Sequence, residues 1–381
     1  MSSRTETNRG SRSPRAQETH LMEAFLPHAL QLGFFLDGPK LIQAFSNHDS
    51  DPNEKPTTAL SAAMILLGSV FQRDPQVPPL KEVYLPKAVQ AVALGLSENH
   101  PQKILHTLQA NVLVAHYFFL HARALEGKWH LNNATSLILS ARMHRIRSFQ
   151  DSDAQGLAIT LQASMLLPSA QNVVEEGQRI NAMWTVFGLN CLWSAVEGAP
   201  TLLSATTEHG RIDTPWPLDA GTYSETTFPP GFRNSHTLQK FLSDIPNLNE
   251  GSSILALYVK ATVLFEQTTV FWNRYSTSQS QNSYRQEFSS TYQNLFTLIT
   301  RLISDVPAIG PRFSDEMNKR LLVIHILARA TMIRLHCSFG RHDPSFLQLF
   351  LDTADDTMRC LAAINLDSTT FLDPVMAVSA L

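Results

Sequence analysis

The chain has 381 residues, with 30 Lys and Arg against 33 Asp and Glu, a net charge of −3 at pH 7. Hydrophobic residues make up 44 % and charged ones only 17 %, which supplies apolar surface for a large buried core and excludes a wholly disordered or collagen-like chain. With no long Lys/Arg run, the sequence lacks the basic face that counterion release from DNA or RNA requires.

Residues Met1 to Thr19 are mostly Ser, Thr, Arg and Asn. They have too little apolar surface to offset ordering entropy, so a disordered tail is expected. Its Arg4, Arg9, Arg12 and Arg15, with Ser13-Pro14, offer at most a weak nuclear-import or phosphorylation patch. No apolar h-region follows, so no secretory signal is expected.

From His20 to Leu381 the pattern is helical nearly throughout. Leu105, Leu108, Val112, Ala115 and Phe119 repeat near every 3.6 residues, as do Ile180, Met183, Trp184, Phe187 and Cys191. A stripe from Ile254 to Tyr275 and another through Phe288, Tyr292, Leu295, Ile299 and Leu302 continue it. Leu321 to Leu335 is apolar on nearly every side, the mark of a helix buried all round. Pro101, Pro344 and Pro374 stand where a first helical turn tolerates a missing N–H. Strand-like alternation is scarce, and the fold class expected is all-α, a compact array of roughly ten to twelve helices. One long Pro/Gly-rich loop, residues 212–233, divides a half with strong local signatures (20–211) from a C-terminal helical half (234–381). A Ser/Gln-rich break is expected near Ser276 to Ser283.

The search for reactive chemistry is largely negative. No His-Glu-x-x-His, Gly-x-Ser-x-Gly, P-loop or Gly-x-Gly-x-x-Gly occurs. Cys191, Cys337 and Cys360 are an odd set without a Cys-x-x-Cys and read as buried small hydrophobes in a reducing compartment. The apolar runs from Ala59 to Phe71 and from Val112 to Leu125 are too short or too interrupted to span a bilayer. Among 14 histidines, His116 and His121 fall on different helical faces and His144 stands alone. His325 and His336 are the one pair able to share a face, and no metal is expected. Asp352, Asp355 and Asp356 on one helical turn are the single enzyme-like feature. Helical terpenoid synthases hold Mg²⁺ with such a device, but no second metal motif follows. A solvated face with an Asp355–Arg359 pair is the plainer reading.

Three segments carry a family likeness: Gln109-Ala-Asn-Val-Leu-Val-Ala-His-Tyr-Phe-Phe-Leu, then Gly127-Lys-Trp-His-Leu-Asn-Asn-Ala, then Ala141-Arg-Met-His144-Arg145. A further block runs from Glu175 through Arg179 and Trp184 to Asn190, then Glu197-Gly198-Ala199-Pro200 and Ile212-Asp-Thr-Pro215-Trp-Pro. In this order they resemble the fungal-specific transcription factor domain, the middle homology region found C-terminal to a two-zinc, six-cysteine DNA-binding cluster. The likeness covers about Phe25 to Pro217. Arg142-Met143 stands where the family has Gly-Leu before His-Arg, Asn190-Cys191 where it usually has Asp-Arg, and Ala199 where it has Arg.

The resemblance implies an all-helical regulatory domain located in the nucleus, with the cytoplasm as a second location left open. It would act through protein partners of the transcription machinery or a small-molecule effector held in an apolar cavity, with a homodimer as one form of contact. The signature residues Trp129, His144, Arg145, Arg179, Trp184, Gly198 and Pro200 read as structural, the two tryptophans as packing anchors and Gly198-Ala-Pro200 as a helix stop. No catalytic residue, cofactor, membrane contact or direct nucleic-acid contact is expected, and the family's zinc cluster has no counterpart in this sequence. A terpenoid-synthase-like enzyme and a plain helical scaffold are the alternatives.

Overall fold

A computed structural model describes residues 13–72, 81–149, 167–198, 203, 211–219, 221–225, 228–229, 231–247, 249–278, 285–337 and 344–362. Among them are twelve α-helices of six residues or more: α1 (Pro14–Phe25), α2 (Gly38–Ser46), α3 (Thr58–Phe71), α4 (Lys81–Leu94), α5 (Lys103–Leu120), α6 (Ala124–Ser140), α7 (Val173–Glu197), α8 (Thr237–Leu242), α9 (Ile254–Ser278), α10 (Arg285–Asp305), α11 (Asp315–Cys337) and α12 (Pro344–Ala362). No strand occurs among the described residues; one parallel bridge joins Ser148 to Asn234. The all-α expectation holds.

Helix starts follow local chemistry. Ser13, Asp37, Thr57 and Asn172 cap α1, α2, α3 and α7 through side-chain oxygens that accept from backbone N–H groups three residues on. The Ser13 cap with Pro14 at the first position starts α1 inside the expected tail, so residues 14–19 are helical. Pro101 lies in the turn before α5, whose N-cap is Gln102. The 212–233 loop contains one helical turn, Thr222–Glu225. Helix α9 runs on to Ser278, and residues 279–284 and Pro374 lie outside the described residues.

The helices form a chain of neighbours: α1 on α3, α3 on α5, α5 on α6, α6 on α7, α7 on α9, α9 on α11 and α11 on α12. Two apolar cores result. The first is built from α1, α2, α3 and α4, and α1 lies close on α3 because Gly68 leaves room for the Leu21 main-chain carbonyl. The second joins α6, α7, α9, α10 and α11. Helix α5 serves both. Leu105, Leu108, Val112, Ala115 and Phe119 face the second core, while Ala110, Leu113, Val114, Tyr117 and Phe118 face the first. Its residues are therefore buried without a break from Leu105 to Phe119. Leu321 to Ala328 are buried on every side of α11, as the sequence pattern predicts, but Arg329, Ala330, Ile333 and Arg334 leave one face of the stretch to Leu335 half-exposed. Ile254–Arg274 in α9 is long and apolar enough to cross a membrane, but 67 % of its most apolar window is buried in the core.

Candidate functional site: a tryptophan-and-aspartate clamp

Two of the signature residues, Trp184 and His144, meet at the segment Arg211–Pro217, which runs between the 3-10 turn Met143–Arg145 and helix α7. Trp184, fully buried on α7, donates its indole N–H to the Pro215 carbonyl at 2.6 Å. It stacks on Trp216 with ring centroids 4.3 Å apart. Trp216 meets Phe241 edge-on, and the Lys260 ammonium lies 5.5 Å from the Trp216 centroid. The Trp216 carbonyl accepts from Asn249 Nδ2 at 2.8 Å. Gly251, in the left-handed region at φ +67°, leaves the space that the Trp216 ring occupies.

Asp213 is the polar centre of the clamp and has no exposed surface. Its carboxylate accepts from Arg211 Nη2 at 2.7 Å, Ser148 Oγ at 2.6 Å and the His236 backbone N–H at 2.8 Å. Burial alone would push this carboxyl up, but the bonds from Arg211, Ser148 and His236 outweigh it and hold the group below the usual carboxylate range. The His144 carbonyl accepts from the backbone N–H of Asp213 at 2.9 Å and of Thr214 at 3.3 Å. Thr214 Oγ1 donates to the Met143 carbonyl at 2.6 Å and accepts from Ile146 N–H. Arg147 forks onto Glu176 at 2.6 and 2.9 Å and donates to the Pro229 carbonyl. Arg142, Arg147 and His236 hold left-handed backbone, with φ of 52°, 58° and 54°, so strain concentrates where the loop is stitched to the helices.

The remaining signature residues divide. His144 is buried, and its imidazole is pushed down to about 4, first by burial and then by the Arg145 charge. Arg145 continues the same 3-10 turn. Arg179 Nη2 pairs with Glu175 one turn back at 2.6 Å and its Nη1 donates to the Pro168 carbonyl. Gly198 ends α7 in the left-handed conformation, φ +66°, as a helix stop should. Pro200 lies outside the described residues. Trp129 departs from the expectation of a packing anchor: it is 57 % exposed on α6 and touches the edge of His130. Asn190 donates to Thr135 Oγ1 at 3.1 Å inside the second core.

Outside the clamp, Arg359 pairs with Asp356 three residues back, not with Asp355 as the spacing suggests. Asp352 accepts from Gln348, and the acidic turn faces solvent. Among the described residues no three His, Cys, Asp or Glu side chains converge as metal ligands do. His116 is fully buried on α5, where burial pushes it down to about 3. His325 bonds the Pro307 carbonyl and His336 the Tyr292 hydroxyl.

A cavity of about 410 Å³ lies elsewhere, on the outer face of α3 between α4 and the α1–α2 pair.

The clamp ties the Arg211–Pro217 segment to α7 and the Met143–Arg145 turn, and its order along the chain agrees with a family profile. The fungal specific transcription factor domain matches residues 25–325. The chain belongs to that family. Neither the curated proteins nor the solved structures include a match. The match spans the whole clamp and most of both cores of this fungal transcription factor domain.

Sequence reasoning passes over Asp213, Ser148 and Asn234. A lone acid in the otherwise apolar run Ile212-Asp-Thr-Pro-Trp-Pro, two residues after Arg211, is the signal that points to a buried, paired carboxylate.

Proposed function

We propose that this chain is the regulatory domain of a fungal transcription factor, acting in the nucleus and controlling transcription through partner or effector contacts. The observation that carries the reading is the family match over residues 25–325. DNA contact falls to another module, since a six-cysteine zinc cluster needs more than the three cysteines in this sequence. The mechanism is a two-state packing in which occupancy of one face shifts how the cores meet across α5. The strained clamp holds the long loop in one of those states. No cofactor and no catalytic step enters this scheme.

The test is a reporter in a fungal host. The chain fused to a heterologous DNA-binding module should enter the nucleus and change reporter output relative to the module alone, and Asp213→Ala should change that output again. Output identical for the fusion, its Asp213→Ala form and the bare module would overturn the regulatory reading. The chain without the module should give no shift of duplex DNA at physiological salt.

A further inference from the structure

The floor of the α3 groove is a single helical stripe, Thr58, Ser61, Ala62 and Ile65, at spacing i, i+3, i+4, i+7. Ser61 and Ala62 are small, and that opens the space. Phe45 and Leu94 close it with apolar surface. A volume of about 410 Å³ lies within the range of small-molecule sites.

The rim sets the chemistry of an occupant. Glu18 comes from α1 and Lys87 from α4, the two helices that pack on α3, and both charges line the groove. Among the described residues neither makes an ion pair, with each other or with a third group. Tyr84 lines the groove with them, and the Lys87 ammonium lies 5.6 Å from its ring centroid. Its hydroxyl is pushed up by burial and then by the Glu18 charge. The Ser61 hydroxyl on the floor is engaged internally, donating to the Thr57 and Thr58 carbonyls. Ligand charge is therefore met at the rim and apolar bulk at the floor.

We infer that the α3 groove binds a compact zwitterion with an apolar side chain, the chemistry of a hydrophobic α-amino acid. Its ammonium meets Glu18, its carboxylate meets Lys87, and its side chain lies over Ala62 and Ile65. Such a ligand fastens α1 to α4 across α3, and α3 packs directly on α5. What this occupancy does to transcription rests on the regulatory reading above; the binding does not.

The experiment uses the full chain, with L-leucine, L-phenylalanine and L-tryptophan as probes, read by calorimetry and thermal unfolding. At least one probe should bind with a Kd below about 1 mM and raise Tm. Phenethylamine and 3-phenylpropionate, each lacking one charge, should bind at least tenfold more weakly than phenylalanine. Glu18→Gln should weaken phenylalanine about tenfold and leave 3-phenylpropionate unchanged; Lys87→Met should weaken phenylalanine and leave phenethylamine unchanged. That crossed pattern is one a merely structural role does not produce. Ala62→Phe should abolish every response with its circular dichroism unchanged; if it disturbs the fold, Ile65→Trp replaces it. Absence of binding by all three amino acids, or binding that survives a filled groove, rejects the inference. A ligand that binds as described while the reporter fusion ignores it leaves the binding standing and rejects the link from this groove to transcription.

Discussion

The two cores are held by different means. The first, around α3, is almost purely apolar and has few long-range polar ties. Gln109 accepts from the Phe35 N–H at 2.8 Å, His106 Nδ1 accepts from the Thr57 N–H at 3.3 Å, and Glu98 accepts from the first N–H groups of α3. The second core is cross-linked by the clamp, in which a carboxylate, two stacked indoles and an arginine fork tie segments 29 to 82 residues apart in sequence. Apolar contact is undirected and tolerates repacking; a buried carboxylate with three donors fixes one geometry. The first core is thus the adaptable layer and carries the groove, while the second is the fixed frame.

Acid should test this contrast with the largest effect. His106 and His116 are pushed down to about 3 and His130 and His144 to about 4, burial being the leading cause in each. In the unfolded chain these imidazoles take up protons near pH 6.5. Below that pH the unfolded state binds more protons than the folded one, so stability falls as pH falls toward 4. Each histidine removes about 1.4 kcal/mol per pH unit, a summed slope of about 5 kcal/mol per unit between pH 6 and 5. All five tryptophans follow Leu120 in the chain, so their fluorescence follows the second region while circular dichroism follows both. With α5 shared, the two acid transitions should coincide; separate midpoints would mean that the cores open independently.

Breaking the clamp comes next. Asp213→Ala leaves Arg211 and two further donors facing a lost carboxylate and should cost about 3–5 kcal/mol, read as a lower urea midpoint with an unchanged m-value. Trp184→Ala should cost a similar ~3–5 kcal/mol. Trp184→Phe keeps an aromatic ring but loses the bond to Pro215 and should cost about 1–3 kcal/mol. Trp129→Ala, at the exposed tryptophan, should stay within about 0.5 kcal/mol of the parent chain. A large loss there would place Trp129 in a core. A large loss at Trp184 beside a negligible one at Trp129 would show that the fixed frame does not reach the outer face of α6.

Much of the architecture is legible in the sequence because it rests on local periodicity. The stripes in α5, α7, α9 and α10 reappear as faces of the second core. The double role of α5 is half visible: Leu105 to Phe119 marks one face, but Leu113, Val114, Tyr117 and Phe118 show that a second core stands behind it. The clamp reads as motifs without its wiring, since Ser148 and Asp213 are 65 residues apart and no spacing rule links them. Trp129 misleads because a tryptophan in a helix carries no sign of which way its face turns. Arg359 has acids both three and four residues back, and the structure selects Asp356.

Helix α5 offers no wetted side along which to slide or turn independently. In mechanical terms it is a beam loaded from both sides. A push of a few tenths of an ångström delivered through α3 has nowhere to dissipate before it meets α6 and α7. Substitutions along this beam should therefore be felt on both sides at once, and tolerance to sequence drift should be lowest there, even though no residue of α5 touches the groove.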